Sequence, residues 1–155
     1  MNYSSYHNMA DKNSKRVLIS GYFDPLHIGH LDLIRRAREL GDYLIVVVNT
    51  DNQAVLKKGK SFMPEKERVE IMKALRGVDE VILSIDNDRT VRRTLEMVKP
   101  DIFANGGDAI IGFIPEEEIC KRLGIQMITN LGGKLQSSSW LTGLPGTYNR
   151  YKSTE

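Results

Sequence analysis

The chain has 155 residues and carries 22 Lys+Arg against 20 Asp+Glu, a formal net charge of +2. Such a length fits one domain with a sizeable core, and so small an excess of charge gives no argument for nucleic acid or an anionic membrane surface. One cysteine, Cys120, excludes an internal disulfide framework; no apolar run is long enough to span a bilayer, and residues 1–15 lack the apolar centre of a signal peptide. The expectation is a cytoplasmic protein.

Taken in order, residues 1–15 are polar and rich in Ser, Asn and Tyr, and read as a disordered segment. A domain over 16–143 follows. Residues 16–22, with the apolar run Val17-Leu18-Ile19, read as a buried first strand. Residues 30–40 carry apolar side chains at 31, 33, 34, 37 and 40, a helical stripe that Gly41 is placed to end. Residues 43–48 form an unbroken valine-rich run, as a central parallel strand covered on both faces requires. Asn49-Thr50-Asp51 then leads into what reads as a polar loop with Lys57, Lys58 and Lys60. Pro64 opens a helix that carries Val69, Ile71, Met72 and Leu75 to Gly77. Residues 81–83 read as strand three, 88–98 as a helix with Asp88 as its cap, and 102–104 as strand four, ending at Asn105-Gly106-Gly107-Asp108. Residues 115–123 read as an amphipathic helix in which Cys120 packs, and 125–129 as strand five. Ser137-Ser138-Ser139 puts hydroxyls into the first turn of a last helix, and residues 144–155 read as a flexible tail.

Strands alternating with helices over short connections define an α/β fold, a single Rossmann-like doubly wound domain with a five-stranded parallel sheet and helices on both faces. Ligands of such sheets bind beyond the carboxyl ends of the strands. Four polar clusters follow predicted strand ends: 22–30, 49–60, 105–108 and 130–139. The first holds two of the three histidines, His27 and His30, with Gly29 between them at a strand-to-helix junction. A helix start offers free amides and the positive end of a dipole, so imidazoles there suit phosphoryl oxygens, and glycine admits close approach. The rest of the inventory also suits phosphate: loop lysines, Gly-Gly turns and serines at a helix start. One cysteine and two clustered histidines make no zinc set, and neither a Gly-x-Gly-x-x-Gly nor a P-loop pattern is present. Plainer readings stand beside these. The lysines can be a solvated face, Arg92 can pair with Glu96, Ser137 can be only a cap, and Trp140 reads as core.

Phe23-Asp24-Pro25-Leu26-His27-Ile28-Gly29-His30 resembles the HxGH signature of the nucleotidyltransferase superfamily, and Gln136-Ser137-Ser138-Ser139 resembles its second signature. The likeness covers about 16–142 and is nearest to the small cytidylyltransferases of the glycerol-3-phosphate cytidylyltransferase type, then to heptose-phosphate adenylyltransferases. It implies in-line attack of an acceptor phosphate on the α-phosphorus of a nucleoside triphosphate, with pyrophosphate leaving. By that likeness His27, His30 and Lys57 act on the triphosphate. Tyr22, Phe23, Asp24, Gly29, Lys58, Lys60, Gly106, Gly107, Asp108, Ser137, Ser138 and Ser139 bind nucleotide, and Arg68 and Arg92 reach the acceptor. Magnesium is held mainly by the triphosphate, and family members are commonly dimers. Two departures bear on specificity. Gly132-Gly133-Lys134-Leu135 stands where those cytidylyltransferases carry Arg-Thr-Glu-Gly, and Ala109-Ile110-Ile111-Gly112 replaces a Trp-bearing acidic segment. The resemblance therefore implies CTP and a small phosphate or phosphonate acceptor, with ATP on a sugar phosphate as the alternative and a catalytically silent nucleotide-binding regulator as the rival of another class.

Overall fold

The computed structural model describes residues 14–106, 114–132 and 141–143. Five strands, β1 (Arg16–Gly21), β2 (Tyr43–Val48), β3 (Glu80–Leu83), β4 (Ile102–Gly106) and β5 (Gln126–Leu131), form one sheet in the order β3-β2-β1-β4-β5. Every pairing is parallel. The helices are α1 (Ile28–Arg38), α2 (Asp51–Lys58), α3 (Glu65–Lys73), α4 (Arg92–Val98) and α5 (Glu117–Leu123). Among the described residues no helix is long and apolar enough to cross a membrane.

Strand alternation sorts the core onto two faces. Val17, Ile19, Leu44, Val46 and Val48 pack with Ile34 and Ala37 of α1 and Met72 of α3 on one side. Leu18, Ile45 and Val47 pack with Leu95 and Val98 of α4 and Ile119 and Cys120 of α5 on the other. Cys120 is thus a core residue, and burial, with Glu116 nearby, pushes its thiol up to about 11. The α-helical winding reverses direction at β1, which makes the β1/β4 boundary the topological switch point. There the strands part. β1 pairs with β2 along its whole length to Gly21↔Val48, but with β4 only at Val17↔Ile102 and Leu18↔Phe103. Among the described residues, 19–21 and 104–106 make no ladder pairs with each other, and a sheet that parts at its switch point is where doubly wound folds leave their crevice.

Several expected boundaries move, each for a local reason. The segment after β2 is not a loop as far as Lys60. Thr50 and Gln53 form a reciprocal capping box, Asp51–Lys58 is helical, and Gly59 ends it at φ 88°. Helix α1 begins at Ile28 rather than residue 30, because His27 itself is the cap. It ends at Arg38, so Gly41 is not its stop. A Cβ at Gly41 would lie 2.6 Å from the Lys15 carbonyl, and close approach of two backbones is what requires glycine there. Pro64 is the cap of α3 and not its first residue, and the helix stops at Lys73. Helix α4 starts at Arg92, and Asp88 does not cap it. The Asp88 carboxylate accepts from the Thr90 amide and hydroxyl in a local turn, while Asp86 accepts from the Arg93 and Thr94 amides. Helix α5 starts at Glu117, two residues later than expected.

Candidate active site

The end of β1 turns through Tyr22 and Phe23 into the start of α1. Phe23 adopts φ 51°, a left-handed conformation that costs a bulky residue of order 1–3 kcal/mol. Burial of its ring in the core and an edge contact with the His30 ring, 4.9 Å between centroids, hold it there. His27 caps α1: its Nδ1 accepts from the Gly29 amide at 3.1 Å, and His30 Nδ1 accepts from the His27 amide at 3.2 Å. The two rings stack 3.7 Å apart. A backbone N–H can only donate, so each Nδ1 is a lone pair and each ring carries its proton on Nε2. Burial first, with His27 and Lys57 beside it adding to the effect, pushes His30 down to about 3. The result is two neutral N–H donors set at the positive end of an eleven-residue helix. Such donors can follow charge onto a phosphoryl oxygen without first losing a proton.

The other expected residues take distinct places. Asp24, 0% exposed, accepts from the Phe62 and Met63 amides and pairs with Lys58 Nζ at 2.7 Å. It orders the Gly59–Pro64 linker against the histidine loop, and residues 59–64 are thereby pinned. Lys58 also donates to the Asp24 carbonyl and its side chain is 9% exposed, so it is a buried partner of Asp24. Lys57 Nζ lies 4.4 Å from the centroid of the Tyr22 ring, a cation–π contact, and its charge is felt at His30. Lys60 is exposed beyond Gly59 and makes no ion pair among the described residues.

Arg68 departs furthest from expectation. It is 1% exposed and donates to the carbonyls of Met63, Tyr22 and Asn49 and to Asp51 Oδ1 at 2.7–2.9 Å. Four of the five N–H groups of its guanidinium are thus spent on the protein. It ties the ends of β1 and β2 to α2 and the linker. Burial raises the Asp51 carboxyl, but hydrogen bonds from Ser61 and Arg68 outweigh it and the group ends below its usual range. Arg92 is exposed at the start of α4 and donates to the Pro115 carbonyl rather than pairing with Glu96, whose partner is Arg122 at 3.7 Å. Gly106 closes β4 at the rim, beside the Leu33 side chain. Gly107, Asp108, Ser137, Ser138, Ser139 and Trp140 lie outside the described residues.

Three rim residues had escaped sequence reasoning. The Gln53 amide is buried and donates to the Asp88 and Thr90 carbonyls, tying α2 to the loop before α4. Its signal, Thr50-x-x-Gln53 ahead of Gly59, was in the sequence. Glu116 is buried and accepts from the Val91 amide, and Arg89 and Glu116 both act electrostatically on the Tyr22 hydroxyl, which burial pushes up to about 12. No local pattern marks Arg89 or Glu116; only the folded rim brings them to Tyr22.

Among the described residues no three His, Cys, Asp or Glu converge as a metal-holding group. The Asp24 carboxylate, on the histidine loop, is engaged by Lys58 and two amides.

A doubly wound sheet that opens at its switch point beside a paired, neutral His-x-Gly-His cap is the architecture of an HxGH nucleotidyltransferase. The model of the cytidylyltransferase-like family matches residues 18–136, and the chain belongs to that family. It is 32% identical over 120 residues to an FAD synthase of Pyrococcus abyssi, covering 77% of this chain and 80% of that protein. It is 34% identical over 134 residues to the bifunctional protein HldE of Desulfatibacillum aliphaticivorans, covering 85% of this chain but only 25% of that longer protein. A solved lipopolysaccharide core biosynthesis protein from Thermoplasma volcanium is 32% identical with a TM-score of 0.67, covering 77% of this chain and 98% of its own.

Proposed function

We propose that the chain moves an adenylyl group from ATP onto the phosphate of a small acceptor. The observation that carries this reading is the histidine pair: two neutral Nε2–H donors at the start of α1, beside a crevice at the switch point. An acceptor phosphate oxygen attacks the α-phosphorus in line, the bond to the β-phosphate oxygen breaks, and pyrophosphate leaves with the electron pair. The acceptor is already anionic, so the site needs no strong base, and catalysis rests on positioning and charge stabilisation. His27 and His30 donate to the α-phosphate oxygens as charge builds in the transition state. Lys57 sits close enough to His30 to add a cation to the phosphates, and Lys60 lies outward along the same linker. Gly106 to Asp108 border ribose and base, Ser137 to Ser139 the outer phosphates, and Arg92 the acceptor side. Magnesium enters with the triphosphate.

The nucleotide is where the relatives weigh against the sequence expectation of CTP. Flavin adenine dinucleotide contains an adenylyl group joined to a flavin phosphate, so an FAD synthase built on this fold transfers an adenylyl group. Relatives of that name match this chain over most of both lengths, which supports ATP. The test is pyrophosphate release with magnesium, crossing ATP and CTP against flavin mononucleotide and a series of small sugar and polyol phosphates. Release with ATP and one acceptor is the expected result; release with CTP alone overturns the adenylyl reading. His27→Ala or His30→Ala should lower kcat by ~10²–10³-fold, and normal turnover in both variants would remove the histidines from the mechanism.

A further inference from the structure

The histidine pair hangs on one turn of chain, residues 22–24, and that turn is held from behind. Phe23 takes φ 51°, and its ring folds back over Gly21, where a Cβ would lie 2.9 Å from the ring's Cζ, to meet the His30 ring edge-on. A bulky residue keeps a left-handed backbone only where its surroundings over-determine it. Arg68 supplies those surroundings. Its Nη1 donates to the Tyr22 carbonyl at 2.8 Å. That oxygen belongs to the peptide plane joining Tyr22 to Phe23, so holding it restrains ψ of Tyr22 and φ of Phe23 together. The same Nη1 donates to the Asn49 carbonyl at 2.7 Å, and the Asn49 amide donates to the Gly21 carbonyl, which anchors the turn to the end of β2. Beyond Phe23, the Asp24 carboxylate accepts from the Phe62 and Met63 amides, and Arg68 Nε takes the Met63 carbonyl at 2.9 Å. Phe23 is thus bracketed, the peptide before it by Arg68 directly and the residue after it by Arg68 through the linker. Nη2 closes the arrangement on Asp51 Oδ1 at 2.7 Å, an oxygen that also accepts from the Ser61 hydroxyl.

We propose that Arg68 is a positioning residue for the histidine pair: through the Phe23 turn it sets the orientation of His27 and His30 and keeps each ring in its Nε2–H form. The inference rests on the nucleotidyl-transfer reading above for its effect on turnover, and adds a residue that acts from behind the site. A buried ion pair is a weak source of net stability, because desolvation offsets the attraction. What a guanidinium does that an apolar side chain of the same volume cannot is fix several oxygens in one geometry. Here they come from four places in the chain: the ends of β1 and β2, the start of α2 and the linker. Lysine carries the same charge but is a point donor with three N–H groups, too few and too close together for that set.

His30 is the reporter. Its ring faces His27, Lys57 and the Phe23 ring, and long-range proton–nitrogen NMR spectra of the protein without nucleotide show which ring nitrogen carries the proton. In Arg68→Lys, verified as folded by far-UV circular dichroism, His30 should lose its single Nε2–H form and titrate closer to the ordinary histidine range. Its kcat should fall about 10²-fold, as a misplacement of about 1 Å does, while the KM values for ATP and acceptor stay within about threefold. Gly21→Ala leaves Arg68 intact and drives the Phe23 ring off its seat, so it should disturb His30 in the same way. Native His30 behaviour in Gly21→Ala overturns the proposal, and does so even where Arg68→Lys fails to fold. A lowered melting temperature in Arg68→Lys with kcat and the His30 spectrum unchanged would reduce Arg68 to a stabilising brace. A raised KM with kcat and His30 unchanged would make it a substrate contact instead; either result overturns the proposal. Disturbed His30 spectra in both variants, with no pyrophosphate released from any triphosphate by the native chain, uphold the positioning and remove the reaction.

Discussion

His30 meets the His27 amide with Nδ1, and that contact decides which proton the ring can hold. Its pKa, pushed down to about 3 from 6.5 by burial first and by His27 and Lys57 next, makes the neutral ring a property of the fold. The sign for stability follows. Between pH 6.5 and 3 the unfolded chain takes up a proton that the folded chain refuses, so this contribution is complete above pH 6.5 and is lost as the pH falls. From pH 6.5 to 5 the loss is about 2 kcal/mol. His30→Gln keeps a capping-box partner at the same helix position and cannot titrate; urea unfolding at both pH values should show that part of the acid sensitivity gone. An unaltered acid limb would mean that another group carries it. The roles of single residues were legible unevenly. The His-x-Gly-His spacing at a strand end was enough to mark the pair, since both histidines sit within one turn of chain and bond to each other's backbone neighbourhood. Arg68 was not legible: a basic residue on a helix reads as a surface cation, and only long-range packing turns it toward the carbonyls that end β1 and β2.

Helix α2 shows how an element can be hidden by its own charge. Its lysines and polar residues suggested a loop, yet the Thr50–Gln53 box, the αL Gly59 and the buried Gln53 and Ala54 are sufficient to stop and start a helix of eight residues. The last turn then delivers Lys58 to Asp24 and leaves Lys57 over Tyr22. Position in the helix therefore separates two adjacent lysines into a buried strut and a cation held over the Tyr22 ring. Removing one member of a buried pair costs about 3–5 kcal/mol because the other charge is left behind. The two amides donated to Asp24 soften that loss, so Lys58→Met should fall toward the lower end of the range in denaturant unfolding. Lys60→Ala, at an exposed position, should change stability by less than about 0.5 kcal/mol. Equal stability losses in the two variants would contradict the division of labour.

At the scale of the molecule, the alternation of strands and helices and the placing of polar clusters after strand ends were readable because they depend on period and punctuation. What could not be read was the sheet order at its centre, since nothing local tells β1 that its neighbours are β2 and β4. That order creates the crevice. Among the described residues the β3-β2-β1 half and the β4-β5 half are paired to each other only at Val17↔Ile102 and Leu18↔Phe103, far from the rim. A nucleotide with its phosphates at His27 and His30 and its base beyond β4 would bridge the two halves where the sheet itself does not. Such a ligand binds the folded chain alone and stabilises it by mass action, about 2.7 kcal/mol at a hundredfold excess over Kd. For a chain of this length that is a rise in Tm of roughly 5–10 °C, at about 2–4 °C per kcal/mol. Melting with ATP, CTP and inorganic triphosphate, each with magnesium, separates the contributions. Phosphate contacts alone give the same shift for all three; a base read by the far half of the crevice gives ATP the largest. A shift with CTP exceeding that with ATP would reverse the choice of base, and no shift with any of the three would mean that the crevice holds no nucleotide.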